Sequence, residues 1–152
     1  MRKWSLISLA FALGLSGCAH FVKQPDPARP QVFVVEGRLI VVNAEPLVFT
    51  RRGEVTITWH LPKGSNYTFP ETQGIVIDGE LVRETRVVRE GLIVQTHELN
   101  PNQKEVGACA TSRDRKEVSC VNRNSRPGKY KYTIRVRDGS ELKSLDPWVV
   151  NE

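Results

Sequence analysis

The sequence predicts an all-β domain, an antiparallel sandwich or small barrel, and three observations predict it. Beyond Gln31 no stretch repeats apolar residues at helical spacing. Two segments alternate strictly: Val55, Ile57, Trp59 and Leu61 against Thr56, Thr58 and His60, and Tyr130, Tyr132, Ile134 and Val136 against Lys129, Lys131, Thr133, Arg135 and Arg137. Alternation of this kind turns the first set of each segment inward and the second outward. Turn residues recur between short runs rich in Val, Ile and Leu. The chain has 152 residues, 39% hydrophobic and 26% charged, which is too short for two ordinary domains and apolar enough for one core.

The N-terminus comes first in order. Arg2 and Lys3 precede the uncharged apolar run Leu6 to Leu15, LISLAFALGL, which has signal-peptide length and falls short of the ~20 apolar residues a membrane span needs. It ends in Leu15-Ser16-Gly17-Cys18. This motif resembles the lipobox of bacterial lipoproteins. The resemblance implies cleavage after Gly17, so that residues 1–17 are a signal peptide, and a diacylglycerol and an N-acyl chain on Cys18. Several acyl chains at ~0.8 kcal/mol per buried methylene would anchor the chain stably. Ala19 follows the cysteine, in place of the aspartate that retains enterobacterial lipoproteins at the inner membrane, so the resemblance favours the periplasmic face of an outer membrane.

Residues 18–30 read as an acylated tether. Pro25, Pro27 and Pro30 punctuate Ala19 to Pro30 without apolar periodicity, and twelve such residues at ~3.1 Å each reach about 37 Å. The domain is expected over 31–152, with His20 a solvated tether residue.

Within the domain the runs Val32 to Val35, Leu39 to Val42 and Leu47 to Phe49 suit strands covered on both faces, or a strand changing sheets, with Gly37 marking a bulge. Gly74 to Ile77, Val82 to Val88, Leu92 to Leu99 and Glu117 to Val121 bring the expectation to about seven to nine strands. Asp78-Gly79 and Asp138-Gly139 read as tight turns, because glycine accepts positive φ. Asn66-Tyr67-Thr68 matches a glycosylation sequon and reads as a loop.

Arg126-Pro127-Gly128-Lys129-Tyr130-Lys131-Tyr132 resembles the entry to the penultimate strand of immunoglobulin-like domains. That resemblance makes Tyr130 a tyrosine corner whose hydroxyl bonds back to the backbone, and it puts Tyr132 where antibody domains carry a cysteine. It therefore implies an immunoglobulin-like sandwich without the inter-sheet disulfide. Leu145 to Val150 would be a closing edge strand, which tolerates Pro147.

Cys109 and Cys120 remain beside Cys18. In an oxidising export compartment they are expected to form a disulfide closing the loop Ala110 to Ser119, worth ~2 to 3 kcal/mol in the entropic account. A redox or metal pair would need CxxC spacing or a second ligand pair, and the sequence has neither. His60 and His97 read as outward strand residues, leaving room for no more than a weak surface Zn or Cu site. A blue-copper centre would need two His, a thiolate and usually a Met, and the sole Met is Met1. There is no GxSxG, HExxH, Walker or GxGxxG motif, so the expectation is a protein with no enzyme activity, no cofactor and no metal site.

Charge is uneven. Without residues 1–17 the chain has 20 basic residues (22 less Arg2 and Lys3) and 17 acidic ones, a net +3. The segment Arg113 to Arg137 carries nine basic and two acidic residues, leaving −4 for the rest. Arg113, Arg115, Lys116, Lys129, Lys131, Arg135 and Arg137 form a ridge that would suit an anionic envelope component or an acidic protein surface. The same charges also serve simply to keep an exposed strand soluble. Nucleic acid fits the charge but not the compartment.

These readings converge on a lipid-anchored, periplasm-facing envelope lipoprotein working as a non-catalytic binding or assembly module. The alternative is a structural accessory subunit of a larger envelope complex. A metal carrier or hydrolase has less in the sequence to support it.

Overall fold

The computed structural model describes residues 24–143 and 147–152. The signal peptide, Cys18, His20, Leu145 and Asp146 lie outside the described residues. Among the described residues eleven strands, more than the seven to nine expected, make an all-β sandwich. They are β1 (Val32–Val35), β2 (Leu39–Val42), β3 (Leu47–Phe49), β4 (Val55–His60), β5 (Ile75–Arg89), β6 (Leu92–Asn100), β7 (Val106–Thr111), β8 (Glu117–Asn122), β9 (Gly128–Asp138), β10 (Ser140–Lys143) and β11 (Trp148–Asn151). The larger sheet has the order β3-β11-β9-β5-β6, with β10 also paired to β9; the smaller is β4-β8-β7, and β1-β2 form a separate hairpin.

The alternating segments supply the two inner faces. Ile57 and Trp59 of β4 and Tyr130, Tyr132, Ile134 and Val136 of β9 are fully buried, as alternation requires. Trp59 meets Tyr132 across the sandwich with ring centroids 5.2 Å apart, so an aromatic contact joins the sheets. A polar tie also joins the sheets. Asn122 of β8 and Asn151 of β11, both buried, exchange side-chain amide hydrogen bonds of 2.8 and 3.0 Å, which satisfies groups that would be costly to bury alone.

Several local expectations are corrected. Asp78-Gly79 is a bulge inside the 15-residue β5, where the register to β9 shifts, and no turn occurs there. Gly79 has φ +152, and a Cβ on it would lie 2.8 Å from the Asn100 carbonyl oxygen, so the bulge needs glycine on both counts. The runs Gly74 to Ile77 and Val82 to Val88 thus belong to one strand, which reverses at Glu90-Gly91, both residues having positive φ. Gly37 is likewise part of a reversal, with Glu36, between β1 and β2, and not a bulge. The β1-β2 hairpin is covered on one face only, since Val32 and Ile40 are buried while Phe33, Val35, Leu39 and Val41 are exposed. β11 is no edge strand: it lies between β3 and β9, and its pairing with β3 is parallel. Asp138-Gly139 does turn the chain, from β9 into β10.

Tyr130 makes only part of the expected corner. Its ring folds back over Gly128, whose missing side chain leaves the space for the hydroxyl, but that hydroxyl has no hydrogen-bond partner among the described residues. Burial pushes its pKa up to about 12. At the start of the domain, the amides of Thr58 and His60 donate to the carbonyls of Ala28 and Pro30, so the last residues of the Pro-rich segment lie along the edge of β4.

Candidate functional site

The described surface offers three features: a cystine at one sheet edge, a basic face, and a projecting hairpin with a groove at its base.

Cys109 and Cys120 are disulfide-bonded, tying the bulged part of β7 to β8. The bulge explains the connection. Ala108 has positive φ, and Ala108 and Cys109 drop out of the ladder between Gly107 and Ala110, which lets Cys109 reach Cys120 on the neighbouring strand. Cys120 is buried and Cys109 exposed, and the reversal itself, residues 112–116, is shorter than the loop expected from the sequence.

Of the basic ridge, Lys129, Lys131, Arg135 and Arg137 alternate outward along β9 as expected, and most of its cations already serve the domain. The Lys116 ammonium donates to the carbonyls of Ser65 and Tyr67, both at 2.7 Å. The Arg135 guanidinium donates to Gln73 at 2.9 Å, Arg137 pairs with Glu141 at 3.3 Å, and Arg115 with Glu71 at 3.5 Å. Arg113 is exposed in the β7-β8 reversal, and Lys129 lines the groove described next.

The distal part of β5 and its partner β6 leave the sandwich as a two-stranded arm. From Val82 to Thr96 every residue is exposed, and of the ten exposed large hydrophobic residues among those described, six lie on this arm: Val82, Val87, Val88, Leu92, Ile93 and Val94. The pairs Val87/Val94 and Val88/Ile93 point to opposite faces, so the arm is apolar on both. The other four, Phe33, Val35, Leu39 and Val41, share the outer face of β1-β2.

At the base of the arm is an open groove of about 460 Å³ lined by Glu45, Leu81, Glu84, His97, Lys129 and Trp148, among others. His97 is no simple outward residue: its ring stands edge-on to Trp148 at 5.0 Å. Glu45 accepts hydrogen bonds from the Trp148 amide and, at 2.9 Å, from the Tyr132 hydroxyl. Burial pushes the Glu45 carboxyl above its ordinary range despite those donors. Glu84 moves the other way, because the Arg86 guanidinium with Gln95 and His97 outweighs the cost of desolvation. The groove therefore combines an aromatic ring, two unlike carboxyls and one ammonium, a set suited to holding a polar ligand. Sequence reading missed it because its residues come from five separate strands or their flanks.

His60 is partly covered where β4 meets Gln31, and its Nδ1 is buried without a hydrogen-bond partner among the described residues. Among the described residues no three His, Cys, Asp or Glu side chains converge to hold a metal ion. No described helix is long and apolar enough to cross a membrane. Comparison of the chain with protein-family models and with curated proteins finds no match.

Proposed function

We propose that this protein is a lipid-anchored lipoprotein of the bacterial envelope, held by acyl chains on Cys18, whose sandwich is a non-catalytic module for binding or assembly at the periplasmic face of the outer membrane. The observation that carries the binding reading is the arm, which spends backbone and six large apolar side chains outside the core, where they add nothing to its packing. The Leu15-Ser16-Gly17-Cys18 motif supports the anchor, and the Cys109–Cys120 bond fits an oxidising compartment. The immunoglobulin-like relationship rests on Gly128-Lys129-Tyr130 and the fold of Tyr130 over Gly128.

Detergent phase partitioning of the wild-type chain and of Cys18→Ala, followed by mass measurement of the N-terminal peptide, tests the anchor. The expected result is an acylated Cys18 in the detergent phase and a variant that leaves it. Equal partitioning of the two overturns it. Crosslinking in native envelopes tests the module: an arm residue captured against a protein or anionic envelope component supports binding, and stoichiometric co-purification with one complex supports the structural alternative.

A further inference from the structure

We propose that the outer edge of β6 is a self-association site, at which two copies of this chain pair β6 to β6, antiparallel, about a two-fold axis at Ile93. The inference concerns the domain itself and holds whether or not Cys18 is acylated.

Sheet edges present unpaired amides and carbonyls, and proteins shorten, cover, bend or charge them. Four other edges of this sandwich are treated in these ways. β3 at the far side of the larger sheet has three residues, and β10 has four. The edge of β4 is covered by Ala28 to Pro30. The edge of β7 is broken by its bulge and tied by the cystine. β6 differs: it is nine residues long, ends the order of the larger sheet, contains no Lys, Arg or Pro, and has its one carboxylate, Glu98, near its end. Its stretch Leu92 to Thr96 carries no charge, and Leu92 and Ile93 are 70% and 73% exposed.

A second copy fits this edge by symmetry and by charge. Antiparallel pairing of a strand with itself places residues equidistant from the axis opposite one another. With Ile93 facing Ile93 of the second copy, Leu92 faces Val94 and Gln95 faces Gly91. Rows then run Val88-Ile93-Ile93-Val88 on one face and Val87-Val94-Leu92-Arg89 on the other, gathering the distal apolar residues of both arms into one four-stranded patch. The chain as a whole is basic, which would oppose self-association, yet residues 82–98 are balanced, with Arg83, Arg86 and Arg89 against Glu84, Glu90 and Glu98. Two arms therefore meet without like net charges.

Sedimentation of the full chain in detergent solution, with Ile93→Lys and, as a control on the other apolar face, Leu39→Lys, tests the proposal. The expected result is a dimer for the wild type and Leu39→Lys, and for Ile93→Lys a dissociation constant raised on the order of tenfold or more. Ile93→Cys is expected to form a covalent dimer under oxidation in native membranes. Circular dichroism and an intact Cys109–Cys120 bond establish that each variant is folded. A folded wild-type monomer at all concentrations overturns the proposal. So does a dimer that Ile93→Lys leaves intact, or arm burial on bare lipid vesicles without a rise in mass.

Discussion

The two halves of β5 share one strand and almost nothing else. From Ile75 to Glu80 it pairs with β9, and Ile75 packs into the core. From Arg83 to Arg89 it pairs with β6 alone, and every side chain is exposed. Both halves are rich in β-branched residues, so the difference arises from what lies across the sheet: the first half has the smaller sheet opposite it, and the second has none. A two-stranded ribbon without a packed face is marginal in water, so the arm owes its order to the sandwich and to whatever covers it.

Substitutions should separate the halves sharply. Trp59→Ala, which empties the space against Tyr132, is expected to cost about 3–5 kcal/mol in urea unfolding. Replacing Cys109 and Cys120 together with Ala should cost about 2–3 kcal/mol by freeing the unfolded chain. Glu105 gives a smaller effect with a defined sign. Burial would raise its carboxyl, but the Ser125 hydroxyl and amide, with Arg126 and Arg123, hold it below the ordinary carboxylate value. Its contribution is therefore present above the unfolded-state pKa and lost as pH falls through the folded one. Glu105→Gln should flatten the acid limb of a stability-against-pH curve. Val87→Ser with Val88→Ser in the arm should shift monomer stability by no more than about 0.5 kcal/mol. A core-sized loss there would erase the distinction between the halves.

The sequence shows this division only in part. Strict alternation in β4 and β9 identified the inner faces correctly because period-two patterning records burial on one side. Consecutive Val87-Val88 and Leu92-Ile93-Val94 carry the same strand signal as a strand buried on both faces, and nothing local distinguishes that case from an arm apolar on both. Gly79 and Gly37 exchanged roles, bulge for turn, because a glycine reports permissive backbone but not which partner strand approaches it. The Cys109–Cys120 link was legible from the cysteine count and the compartment expected of the chain. The groove of Glu45, Glu84, His97 and Trp148 was not, since sheet order brings those residues together and no spacing records it.

Hydrogen exchange along β5 tests the account most directly, read at low and high protein concentration. The prediction is slow exchange for hydrogen-bonded amides from Ile75 to Glu80 at both concentrations, with fast exchange in the arm that slows as the protein is concentrated. Arm amides as protected as those of Ile75 to Glu80 in the dilute monomer, and unchanged on concentration, would contradict it.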